Sequence, residues 1–333
     1  MNTPPNLPRL LEGFFTDRLM RQRQVSPNTV ASYRDTFRLL LRFTQKHLGK
    51  KPSSLELEDI DLTLVTAFLD DLENHRSSSV RTRNLRLTAI RSFFQYASFE
   101  EPASSAHIQR VLSIPSKRHD KTMVNFLVRT EIEALLAAPD QSLWLGRRDH
   151  ALLLLAVQTG LRLSELTDLH RSSILLGRGA HVRCVGKGRK ERCTPITKNV
   201  AATMKIWLAE PSPGNSDALF PTIHGDHMSA DAVQYALAKH VTEACLHCPS
   251  LKQKRVTPHV LRHSAAMELL QAGVDCSVIA LWLGHESIQT TQMYLHAHME
   301  LKEAALAKIT PLDQDITTRY KPNDQLLQFL NSL

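Results

Sequence analysis

Thr257-Pro258-His259-Val260-Leu261-Arg262-His263 is the stretch from which the rest of the chain can be read. Proline is tolerated in a helix only in its first turn, where its missing N–H is not needed, and a preceding threonine can cap that turn. A helix is therefore expected from 258 to about 272. His259 and Arg262, three residues apart, project from the same side of its first turn. Unpaired N–H groups and the helix dipole attract an anion there. A guanidinium, an imidazole and a helix start together form a seat for a phosphate.

Further chemistry lies on both sides of this seat. Downstream, helices are expected over 275–283 and 287–294. Gly284 closes the first, Ser287 caps the second, and His285 lies in the joint. Tyr294 follows His285 by nine residues. Upstream, an apolar run from Ala151 to Val157 belongs to a helix over 147–158, and another helix covers 129–138. Thr159-Gly160-Leu161-Arg162-Leu163-Ser164-Glu165-Leu166 then places Arg162 at a helix joint, with Glu165 able to orient it. Arginine presents a rigid fork that can grip two phosphate oxygens. His181–Val185 and 191–196 flank Gly186-Lys187-Gly188-Arg189-Lys190 and read as a β-hairpin with Lys187 in its turn. A two-residue Gly188-Arg189 loop would set Cys184 opposite Cys193. Helices over 197–209 and 229–246 complete this part.

The first hundred residues read as four helices in an all-α bundle. Leu10, Phe14, Phe15 and Leu19 mark the first. Ser26-Pro27 begins the second, and the others run from about 61 to 72 and 78 to 96. Arg76, Arg81, Arg83, Arg86 and Arg91 fall in a stretch with no acid. With Leu85, Ile90, Phe93 and Phe94 turned to the core, these arginines would face out toward phosphates. Lys252, Lys254 and Arg255 form a second basic group. Residues 102–123, turn-rich and then cationic, read as a basic linker. The expected layout is an all-α domain over 1–101, that linker, a mainly helical domain with a small hairpin sheet over 124–310, and a tail over 311–333.

Composition narrows the classes. The 333 residues carry 41 Lys and Arg against 33 Asp and Glu, a formal net charge of +8, which suits a polyanionic partner. Only 12 Gly and 16 Pro exclude collagen-like and low-complexity chains. No apolar run is long enough to span a bilayer and no signal peptide is evident, so the cytoplasm is the expected location. The five cysteines are odd in number, so no disulfide framework is expected. Cys245 and Cys248 make half a zinc site with no second pair. His259, His263 and His285 have no metalloprotease spacing, and no P-loop or carboxylate cluster supplies ATP or two-metal chemistry. Neither cofactor nor metal is expected.

Six of these residues, in this order and spacing, resemble the tyrosine recombinases, or phage integrase family: Arg162, Lys187, His259, Arg262, His285 and Tyr294. The resemblance is strong over 124–310 and looser in the helical N-terminal part, which is similar to the family's DNA-clamping domain. It implies a site-specific recombinase or integrase that cuts and rejoins double-stranded DNA through a covalent 3′-phosphotyrosine. Tyr294 would be the nucleophile and His259 the base. Arg162 and Arg262 would neutralise the phosphate, Lys187 would protonate the leaving 5′-oxygen, His285 would hydrogen-bond the phosphate, and Glu165 would brace the site. Two basic lobes on a linker could close around a duplex. The resemblance further implies a tetramer on two DNA sites, of this chain alone or with a sister recombinase. The apolar tail residues Leu326, Leu327, Phe329, Leu330 and Leu333 would either fold back on their own chain or, the favoured reading in such a tetramer, dock on a neighbour. A type IB topoisomerase uses nearly the same residues, and a silent DNA-binding regulator would keep the fold alone.

Overall fold

The computed structural model describes residues 7–119, 124–186, 190–285, 287, 289–291 and 294. The tail, Lys187 and, of the helix expected over 287–294, residues 288, 292 and 293 lie outside them. The chain divides into two compact units, Met1–Lys121 and Thr122–Leu333. Mainly helical structure with one small antiparallel sheet agrees with the expected fold class.

In the first unit, α1 (Leu7–Gly13) runs into a wider π-wound stretch, Phe14–Gln22. Next come α2 (Pro27–Leu48), α3 (Leu62–Asn74), α4 (Val80–Glu100) and α5 (Ser105–Leu112). Side-chain caps set the starts: Ser26, Asp61 and Ser79 accept from the N–H of Thr29, Leu64 and Thr82. Gly49, at φ 70°, ends α2. Phe14, Phe37 and Phe93 meet edge-to-face at the centre, with centroids 5.3–6.2 Å apart.

Three expectations for this unit need correction. The start of the stretch read as a linker is helical. Ile108, Val111 and Ile114, at helical spacing, are buried in the unit's core, so the bundle has a fifth helix. Leu85 is 61% exposed and Arg83 is 4% exposed, the reverse of the orientation expected. The reason is geometric: the buried stripe Ala97, Phe94, Ile90, Leu87 continues back to position 83, not 85. Nor are the arginines without acids, because α3 supplies them. Arg83 Nε lies 3.6 Å from Glu73, and Arg76 donates to Asp71 at 3.3 Å.

The second unit contains α6 (Arg129–Ala137), α7 (Trp144–Thr159), α8 (Leu163–Thr167), β1 (Ile174–Leu175), β2 (His181–Val185), β3 (Glu191–Pro195), α9 (Lys198–Ala209), α10 (Ala230–His247), α11 (Pro258–Gln271) and α12 (Cys276–Leu283). Its axis is α7, which buries residues on every side, including Leu152, Leu153, Leu155 and Ala156, against α6, α9 and α11. Arg148 and Asp149 on α7 are buried. Asp149 accepts from Arg148 and pairs with His240 of α10 at 2.8 Å, while Arg148 donates to the Pro221 carbonyl at 3.0 Å. This paired charge network ties α7 and α10 to the loop around 221.

The strands run antiparallel in the order β1-β2-β3. Their register differs from expectation: Cys184 faces Arg192 and Cys193 faces Arg183. The Gly186 N–H donates to the Lys190 carbonyl at 2.8 Å, a pairing with three residues between its partners where a two-residue loop was expected, so the partners shift by one. That shift brings Arg192 onto the inward side. All five cysteines are free thiols.

Candidate active site

The sequence builds the site from helix ends. α7 stops at Gly160 (φ 63°) and α12 stops at Gly284 (φ 64°), both left-handed. The last carbonyls of a helix have no partner within it and carry negative partial charge. Here three guanidinium groups supply the partners. Arg262, the fifth residue of α11, donates to the carbonyls of Gly160 (2.7 Å) and Leu283 (2.6 Å). Arg162 donates to the Gly284 carbonyl at 2.8 Å, and Arg192 donates to that of Leu283. The spacing is tight: a Cβ on Gly284 would lie 2.6 Å from Arg192 Nη1, and one on Gly160 2.6 Å from Leu283.

Glu165, 3% exposed, balances part of this charge. Its Oε1 accepts from Arg162 Nη1 at 2.8 Å. Its Oε2 accepts from the Arg162 backbone N–H at 2.7 Å and from Arg192 Nη2 at 2.8 Å. Charge-assisted bonds of this kind are short and directional. Two of the arginines are thereby held in place before any ligand arrives. Burial, and then repulsion from Arg162 and Arg192, pulls the Arg262 pKa down to about 10, so it remains cationic at neutral pH.

Tyr294 lies beside this array in a small apolar cluster with Ala266, Met267, Leu270, Ile279 and Leu283. It is 1% exposed, and its hydroxyl is 2.9 Å from His263 Nδ1. Burial pushes the phenol up to about 12, and Arg262 offsets part of that rise. The His285 ring is nearly parallel to Tyr294 with centroids 6.5 Å apart, and its Nδ1 pairs with Thr291 Oγ1 at 2.8 Å. Both histidines are held neutral, with pKa values pulled down to about 4. For His263 the causes are burial, then His259 and Arg262. For His285 they are burial, then the three arginines.

Of the residues singled out in the sequence, Arg162, Glu165, Arg262, His285 and Tyr294 come together. His259 is exposed at the start of α11, with Thr257 capping the Val260 N–H at 3.4 Å. Lys187 lies outside the described residues. Its neighbour Gly186 does adjoin the site: a Cβ there would be 3.3 Å from Glu165 Oε1 and 3.8 Å from Arg162 Nη1. Sequence reasoning missed Arg192 and His263. Strand alternation, with Thr194 and Arg192 on one face, was the signal for the first. For the second it was the position one helical turn beyond His259.

Among the basic residues read as DNA contacts, Arg81, Lys252 and Arg255 are exposed. Lys254 is tied to Glu131 at 2.6 Å and to the Phe126 carbonyl at 2.9 Å. Arg86 donates to Thr36 and Arg91 to the Ile114 carbonyl. Among the described residues no helix is long and apolar enough to cross a membrane.

Residues 125–300 match the phage integrase family, and residues 13–101 match the phage integrase N-terminal SAM-like domain. The integrase/recombinase named y4rC of Sinorhizobium fredii is 60% identical over the full length of both chains. The tyrosine recombinase XerD of Ralstonia nicotianae is 33% identical, covering 89% of this chain and 92% of its own. The XerH site-specific recombinase bound to palindromic difH substrate, a post-cleavage complex, aligns with a TM-score of 0.67 at 23% identity, over 86% of this chain and 81% of that one. A lambda integrase dimer bound to a COC′ core site aligns with a TM-score of 0.63 at 16% identity, over 87% and 77%. These two likenesses are of fold. With the family model matching more than half of its length and XerD, a tyrosine recombinase, 33% identical over most of both chains, this chain belongs to the phage integrase family, the tyrosine recombinases.

Proposed function

We propose that this chain is a site-specific DNA recombinase that cuts and rejoins strands through a 3′-phosphotyrosine. The observation that carries the reading is the convergence of Arg162, Arg192 and Arg262 on the ends of α7 and α12, beside a tyrosine whose hydroxyl is already bonded to a histidine. A phosphodiester resists attack because its anionic oxygens repel a nucleophile. Guanidinium groups fixed in advance oppose that charge, and the charge that grows in the transition state, without reorganising.

In this reading the non-bridging oxygens bind Arg162 and Arg262, and His285 donates a hydrogen bond to one of them. Tyr294 Oη attacks phosphorus, with its proton passing to His259 or, from the pairing seen here, to His263. The bond to the 5′-oxygen breaks as Lys187 protonates that oxygen. One phosphodiester has become another, so a 5′-hydroxyl from a second strand can reverse the step without ATP. Exposed Arg81, Lys252 and Arg255 add phosphate contacts that position the duplex. The working unit is a homotetramer on two DNA sites, with residues 311–333 docked on a neighbour.

The test is capture of covalent protein–DNA adducts from cells expressing the full chain, lysed in denaturant, followed by sequencing of the attached DNA. Adducts at a recurring sequence are expected from the native chain and none from Tyr294→Phe. Equal adduct yield from that variant would overturn the assignment.

A further inference from the structure

A second cluster of ligand-type side chains, outside the proposed active site, is formed by His170, Asp217 and His227. One donor atom from each lies within 4.8 Å of the others. Backbone pairing brings the three together. His170 and Ala218 form an isolated antiparallel bridge, bracketed by Arg171 N–H to the Asp217 carbonyl (2.7 Å) and Leu219 N–H to the Leu169 carbonyl (2.9 Å). Pro221 and His227 form a second bridge. The Pro221 carbonyl is in turn held by the buried Arg148. The three side chains therefore stand on a braced loop, although they are solvent-accessible.

We infer that His170, Asp217 and His227 form a binding site for a divalent transition-metal ion of the zinc type. The backbone hydrogen bond of His227 is the independent pointer. Its Nδ1 lies 2.8 Å from the Thr167 carbonyl, which can only accept, so Nδ1 is the donor there. That leaves Nε2, 4.0 Å from Asp217 Oδ1, as the nitrogen turned toward the cluster. A metal-bound histidine commonly has its second nitrogen pinned in this way. His170 Nδ1 lies 2.9 Å from Asp217 Oδ2, and its ring centroid is 5.1 Å from that of His227. Zinc bonds of about 2.1 Å in tetrahedral geometry set donors roughly 3.4 Å apart. The distances of 2.9 and 4.0 Å straddle that value, so small side-chain shifts suffice. On binding, the ion takes the place between His170 Nδ1 and Asp217, and the imidazole proton sits on His170 Nε2. Two imidazoles and one carboxylate favour zinc, nickel, cobalt or copper over magnesium or calcium. The fourth position is left for water.

The site would fasten the 217–227 loop to the residues that follow α8, the helix whose Glu165 holds Arg162 and Arg192. Its existence does not depend on the recombinase reading. The test is titration of the chelator-treated full-length chain with Co2+, followed by its visible absorption, and then displacement by Zn2+. One ion per chain is expected. His227→Ala, His170→Ala and Asp217→Asn should each weaken binding about tenfold or more. They should leave the metal-free unfolding transition in place, because all three side chains are exposed. A Cys245→Ser/Cys248→Ser chain should bind as the native one does. Native-strength binding in the three ligand variants, loss of binding in the cysteine double variant, or no binding by the native chain up to about 1 mM metal would each overturn the inference.

Discussion

Replacing Glu165 with glutamine tests whether the arginine array rests on this one buried carboxylate. Glu165 accepts three hydrogen bonds through its two oxygens. An amide of the same shape keeps one oxygen. Its better orientation puts that oxygen in the Oε2 position, serving the Arg162 N–H and Arg192. The amide nitrogen then points at Arg162 Nη1, donor against donor. One bond to a charged acceptor is lost, at about 1.5–3 kcal/mol. Two guanidinium groups also lose their counter-charge, and breaking a buried pair in this way costs about 3–5 kcal/mol. Arg162, whose side chain is 26% exposed, can turn partly to water, so a net loss of about 3 kcal/mol is the reasonable figure. All three tryptophans, Trp144, Trp207 and Trp282, lie in the second unit, so intrinsic fluorescence follows its unfolding alone. For a unit of this size, 3 kcal/mol lowers Tm by roughly 6–12 °C. Inorganic phosphate should narrow the gap, because an anion among the arginines restores the missing charge. A drop smaller than about 2 °C, or a gap that phosphate leaves unchanged, would refute the claim that Glu165 organises the site.

Two further outcomes follow from the same geometry. His263 and His285 have folded-state pKa values near 4 against an ordinary 6.5, so the stability they confer is complete above pH 6.5 and lost as pH falls toward 4. Tryptophan-monitored unfolding should reveal that slope, and His263→Gln should flatten it; an unchanged slope would count against burial as the cause. Gly284→Ala forces a side chain into a left-handed residue at about 1–2 kcal/mol and drives Cβ to 2.6 Å from Arg192 Nη1. Adduct formation should fall at least tenfold while the fold persists, and native adduct yield would show that Arg192 does not need its present seat.

The legible features of the sequence were local ones. Caps such as Ser26 and Thr257, and the terminal glycines 160 and 284, fix helix ends through bonds within a few residues, and the structure has them where they were read. Arg83 was misplaced because the stripe on α4 was phased on Leu85, and one wrong position turns a helix face by a large angle. The hairpin register failed for a similar reason, because one extra turn residue moves every cross-strand partner. Arg192 and His263 were hidden by distance: their partners Leu283, Glu165 and Tyr294 are 27 to 91 residues away, and only tertiary packing brings them close.

In the proposed mechanism the buried tyrosine sets the order of events. With its pKa near 12, ionising Tyr294 at pH 7 costs about 7 kcal/mol, against about 4 for an ordinary phenol. The arginines therefore do not arm the nucleophile in the DNA-free chain, because burial outweighs Arg262. The histidines are also unready, since burial first, and then Arg262 beside His263 and the three arginines beside His285, oppose taking up a proton. A phosphodiester entering the array changes both conditions at once. Its negative charge cancels part of the field that depresses His263 and His285, and their pKa values rise toward the range useful for proton transfer. Its phosphorus also gives the hydroxyl oxygen an electrophile to attack as the proton passes to a histidine. DNA is then the activator as well as the substrate. An empty site with three arginines and a sequestered phenol is protected from attacking the wrong phosphate.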